Sequence, residues 1–157
     1  MRPLVGIVAL SFLMSLHLSS QAQELSPNAP PDKPGSANGE QVQKFEEAIA
    51  PFVKKAKETL PRAKKKYRRG LRAGEILFVT TRIHEGEKFE QAFVKVTSWE
   101  GDTIRGLLAS DMELLTNHKK DEHITCKEND VIDWTISKPD GTEEGNFVGK
   151  FLDSYKP

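Results

Sequence analysis

The hydrophobic period of this chain changes once, at residue 75, and that change bounds the fold more tightly than any motif does. Before it, Val42, Phe45, Ile49, Phe52, Val53 and Ala56 recur at three- and four-residue spacing with Glu, Gln and Lys between them. That is the pattern of a helix with one apolar face, here over residues 40–58. Pro51 lies inside the run and predicts a kink, and Thr59-Leu60-Pro61 reads as a break and restart. Gly70 ends the second helical piece.

After residue 75 the apolar residues alternate. "EILFVTTRI" (75–83), "FEQAFVKVT" (89–97) and "DTIRGLLAS" from Asp102 are rich in β-branched and aromatic residues, and short connections with Gly86 and Gly101 join them. These are expected to form an antiparallel meander. Leu77, Val79 and Ile83 share one face with Ala92, Val94 and Val96, where the amphipathic helix would dock. A polar connection, 110–122, is expected to carry a helical turn around Met112 to Leu115. "HITC" and "VIDWTI" supply two more strands, and "NFVGKFL" (146–152) reads as the sixth. The expected class is α+β, with one helix or two packed on a curled antiparallel sheet of about six strands. Closure into a small, partly closed barrel is left open.

Residues 1–22 read as a signal peptide. Arg2 precedes an apolar run over 4–16, and Ser20 and Ala22 occupy the positions a signal peptidase reads, so cleavage is expected after Ala22. The run is shorter than the roughly 20 residues a membrane span needs, so no transmembrane segment is expected after cleavage. Residues 23–40 carry four prolines and almost nothing apolar, the composition of a disordered leader. One domain, 41–157, remains, and its localisation is expected to be periplasmic or secreted. Cys126, the only cysteine, excludes an internal disulfide and reads as a small buried hydrophobe.

Charge is segregated along the chain. Residues 54–72 hold ten Lys and Arg against one acid, Glu58, while the rest of the expected mature chain is acidic. Lys64, Lys65, Lys66, Arg68 and Arg69 are the densest part and are candidates for contact with an anionic surface, meaning lipid headgroups, an anionic polymer or an acidic protein. The bland reading, a solvated helix whose lysines face the acidic body, carries more weight. Nucleic acid is discounted as a partner for an exported chain.

"AIAPFVKKAKETLP", "FEQAFVKV" with "GDTIRGLLAS", and "VIDWTISKPDGTEEG" together resemble the YegJ-like bacterial family, domain of unknown function 2314. The similarity covers roughly residues 48–152, and Asp133-Trp134 with Gly141 and Gly145 is its most specific element. The resemblance implies the fold and carries no activity with it. Where the family often has Trp, this chain has Phe93, three residues after Glu90; an aromatic-lined site would be altered there.

Three constellations offer chemistry. Glu90 and Asp133, with Trp134 as a platform beside them, are a candidate pair for carboxylate catalysis, which would require convergence within about 5 to 10 Å. The heavier reading makes Trp134 core and Asp133 a hydrogen-bonded carboxylate that fixes a turn. His118 and His123, with Cys126, have zinc-ligand chemistry but not zinc spacing, and His123 and Cys126 fall on opposite faces of a strand. "GTEEG" reads as a hairpin turn that opens no helix, so no phosphate loop and no cofactor are expected. The favoured function is a non-catalytic binding or accessory module for an unknown protein or envelope component. The alternatives are a hydrolase using Glu90 and Asp133, or a membrane-surface or anionic-polymer binder acting through residues 54–72.

Overall fold

The computed structural model describes residues 39–154. The expected signal peptide and nearly all of the expected leader lie outside the described residues. The chain forms α1 (Gly39–Arg69), β1 (Ile76–Glu85), β2 (Lys88–Glu100), β3 (Thr103–Leu108), β4 (His123–Lys127), β5 (Asp133–Ser137), β6 (Glu143–Gly145) and α2 (Phe147–Ser154), with one 3₁₀ turn at Glu128–Asp130. The strands make one antiparallel sheet in the order β4-β3-β2-β1-β5-β6. β4 and β6 are its edges, so the sheet is not closed.

The alternating face appears as expected. Val79 is paired with Val94 and with Trp134, and Thr81 with Ala92. Val79, Val94, Trp134 and Ala92, with Leu77, Ile83, Val96, Ile104 and Leu108, form the core with Ala56, Leu60 and Ala63 of α1. Gly106 allows the close approach of β3 to β2, because a Cβ there would meet the Lys95 carbonyl oxygen at 2.2 Å. The linker between β4 and β5 crosses the helix-covered face, where the Thr81 hydroxyl donates to the Asp130 carbonyl at 3.2 Å.

Four local expectations are corrected. α1 is one continuous helix, with Pro51 and Pro61 both inside it. An interior proline costs a helix about 3 kcal/mol, but Leu60 and Ala63 on either side of Pro61 are both buried, and that packing keeps the segment helical. Thr59 helps, its hydroxyl donating back to the Lys55 carbonyl at 2.8 Å. The expected turn at Met112 to Leu115 is not helical; Leu115 is pinned in the core and the neighbouring N–H groups go to Glu90. "NFVGKFL" is helix α2, and the sixth strand is the short β6 before it. "GTEEG" therefore does lead into a helix, through Asn146 at φ +55°.

Candidate functional site

Asp133 and Trp134 are both buried, pointing to opposite sides of β5. The Trp134 ring lies in the core, edge-on to Phe147 at 5.9 Å, and its indole N–H donates to the Thr59 hydroxyl at 3.0 Å. Asp133 accepts from its neighbour's backbone, Trp134 N–H, at 2.8 Å and from Val148 N–H at 2.7 Å. Val148 is in the first turn of α2, so a carboxylate from β5 caps that helix. Burial pushes the Asp133 carboxyl up to about 6, against the opposing pull of the backbone N–H groups of Trp134, Val148, Phe147 and Gly149. Glycine is required next door. A Cβ on Gly145 would meet the Trp134 carbonyl oxygen at 2.1 Å and the indole ring at 2.7 Å.

Glu90 does not meet Asp133. Register pairs Glu90 with Ile83, on the core side, and pairs Asp133 with Thr80, on the other side. The two carboxylates thus belong to opposite faces of the sheet, which is not the geometry a paired-carboxylate mechanism requires. Glu90 is 4% exposed. It accepts from Glu113 N–H at 3.1 Å and from Leu114 N–H at 3.0 Å, clamping the loop after β3. Phe93 is buried and is paired with Thr80, so it shares the Asp133 face and not the Trp134 face.

The histidines are also apart in role. His118 Nδ1 lies 3.2 Å from Glu122 Oε1, while His123 is exposed at the start of β4. Cys126 faces the core, and burial, with Asp130 nearby, pushes its thiol up to about 11. Among the described residues no three His, Cys, Asp or Glu side chains come together as a metal-ligand group.

The basic segment divides into two kinds of residue. Helical geometry turns each successive side chain by about 100°, which places Lys64 and Lys66 on the two flanks of the buried face. Lys64 reaches Glu128 at 2.5 Å and the Gly101 carbonyl at 2.7 Å, and its ammonium sits 5.4 Å from the Trp99 ring centroid. Lys66 reaches Glu144 at 2.5 Å and, by hydrogen bonding to it first of all, holds that carboxyl below the usual carboxylate range. Lys57 donates to the Asn129 carbonyl at 3.0 Å. Lys65 points about 160° away from Ala63, out of the molecule. Lys65, Arg68, Arg69 and Arg72 are exposed, and none of their side chains is paired among the described residues. Lys65, Arg68 and Arg69 form one stripe at i, i+3 and i+4, and Arg72 follows just beyond Gly70.

Of the five basic candidates, the structure brings Lys65, Arg68 and Arg69 together on the outer face and turns Lys64 and Lys66 inward. Arg72, the last basic residue of the 54–72 segment, is exposed three residues before "EILF". Glu128 and Glu144, the inner partners, carry no local signal in the sequence because each lies more than 60 residues from the lysine it holds.

A family model described as an uncharacterized protein conserved in bacteria, DUF2314, matches residues 43–154. No curated protein and no solved structure matches the chain.

Proposed function

Because the chain belongs to the DUF2314 family of uncharacterized proteins conserved in bacteria, whose fold alone assigns no chemistry, we propose that it acts as an exported, non-catalytic binding or accessory module. Its contact is the outer face of α1, and its partner is anionic. The observation that carries this reading is the unpaired stripe of Lys65, Arg68, Arg69 and Arg72 beside lysines that are already engaged. A helix that needed its cations only for attachment to the body would use them as Lys64 and Lys66 are used. The last turn of a helix is also where cations sit favourably against the backbone dipole.

Export rests on residues 1–22 alone, and an intact mass beginning at Gln23 for protein recovered from outside the cytoplasm is the direct check. The binding reading is tested by retention on immobilised polyglutamate. Retention at low salt, lost on joint Lys65→Gln, Arg68→Gln and Arg69→Gln substitution, supports it. Passage straight through at low salt refutes it.

A further inference from the structure

We infer that the anionic partner is a bilayer surface, which the outer face of α1 meets side-on through Lys65, Arg68 and Arg69, with Arg72 just past the helix end; this rests on the binding reading above. The choice follows from what surrounds the stripe. The exposed residues beside it are Glu58, Pro61 and Arg62, and no large apolar side chain stands among them. A specific protein interface needs a desolvated apolar or aromatic centre with charge at its rim, and this face has charge without that centre. A layer of anionic headgroups asks for no such anchor. Clusters of four or more Lys and Arg on an amphipathic helix are attracted to it by charge alone.

The rest of the molecule is arranged compatibly. Near the stripe's end Glu128 is held by Lys64, Glu144 by Lys66 and Lys138, and Asp102 by Lys127, while the Glu75 carboxylate accepts from the Arg72 backbone N–H at 3.0 Å. Docking therefore breaks no existing ion pair. At the opposite end of the sheet the two loops carry Glu85, Glu87, Asp111, Glu113, Asp121 and Glu122 against Lys88, Lys119 and Lys120, a net acidic balance, and Asn117 ties them together by donating to Glu85 at 2.6 Å. The charge asymmetry orients the basic end toward an anionic plane and the acidic end away from it. The apolar face of α1 stays in the core throughout, so the contact is peripheral and reversible.

Each Lys or Arg near such a surface raises affinity about five-fold, so four give about six-hundred-fold over a neutral face. The test is co-sedimentation of the purified protein with phosphatidylglycerol-containing vesicles, alongside phosphatidylcholine vesicles and soluble polyglutamate. The expected result is binding to the phosphatidylglycerol vesicles alone of the two lipids. It should fall about 25-fold for Lys65→Gln/Arg69→Gln and vanish toward 1 M salt, where charge is screened within about 3 Å. Circular dichroism should be unchanged in that variant, because both side chains point into solvent. Equal binding to phosphatidylcholine would overturn the inference, as would anionic-vesicle binding that ignores the substitutions. Binding to polyglutamate without vesicle binding overturns the bilayer and leaves the anionic-partner reading standing. Binding to neither removes both.

Discussion

The indole N–H of Trp134 donates to the hydroxyl of Thr59 at 3.0 Å, across 75 residues of sequence. That single bond joins the middle strand of one sheet half to the helix turn that two neighbouring residues, Leu60 and Pro61, would otherwise mark as a break. The same hydroxyl returns its own proton to the Lys55 carbonyl. Thr59 thus serves both sides at once.

Thr59→Val keeps the shape and removes the hydroxyl. The Trp134 N–H is then left buried without an acceptor, and the expected loss is about 1–3 kcal/mol in urea unfolding. Thr59→Ser should recover most of it. A valine variant as stable as the parent, with an unshifted indole proton resonance, would show that the bond contributes nothing.

Asp133 gives a pH dependence whose sign is opposite to that of an ordinary salt-bridged carboxylate. Its native pKa, about 6, lies above the ordinary Asp value because burial disfavours the charged form. The native state therefore binds the proton more tightly than the unfolded chain does, and this contribution to stability is full below about pH 4 and is lost as pH rises through about 6. The expected fall is on the order of 3 kcal/mol. Asp133→Asn should flatten that part of the profile. It should also destabilise the protein by about 1–3 kcal/mol, because the amide presents a donor where Trp134 and Val148 present donors too. Parallel slopes for the two proteins between pH 4 and 6, read by denaturant melts, would assign the pH dependence elsewhere.

Two glycines separate strain from clash. Gly141 and Gly145 have nearly the same φ, +79° and +78°, but a Cβ on Gly141 meets open space and one on Gly145 meets Trp134. Gly141→Ala should cost about 1–2 kcal/mol from the left-handed backbone alone. Gly145→Ala should cost that plus an overpacking penalty of about 1–3 kcal/mol. Equal melting temperatures for the two variants would mean that β6 yields without disturbing the tryptophan.

The meander was legible because Leu77, Val79, Ala92 and Val94 recur at alternate positions and so all turn toward the face that packs on α1. The C-terminal helix was not. "NFVGKFL" is a short apolar run that periodicity alone assigns to neither class, and what decides it is the Asp133 carboxylate arriving from another strand. The break expected at Thr59-Leu60-Pro61 failed for a related reason, since what carries the helix through is the burial of Leu60 and Ala63 in a core built from distant strands, Trp134 among them. The basic segment was legible as charge. Its division into an inner and an outer set depended on Glu128 and Glu144, whose positions only the folded sheet supplies.

That division makes the last prediction a double dissociation within three consecutive lysines. Lys64 is 19% exposed and its partner Glu128 24%, so Lys64→Gln removes a largely desolvated ion pair and a bond to the Gly101 carbonyl. The expected cost is about 1–2 kcal/mol of stability. Lys66→Gln releases Glu144 from its closest cation, but Lys138 remains at 3.2 Å, so the loss should be smaller, about 0.5 kcal/mol. Lys65→Gln should cost nothing measurable in unfolding and should weaken binding to an anionic surface about five-fold. Urea melts and vesicle co-sedimentation on the same three variants separate the outcomes. If Lys65→Gln lowers stability as much as Lys64→Gln does, the outer cation has a partner within the fold and the stripe is not free to bind. If Lys64→Gln and Lys65→Gln weaken vesicle binding equally while both stay folded, the contact is diffuse charge and has no defined face.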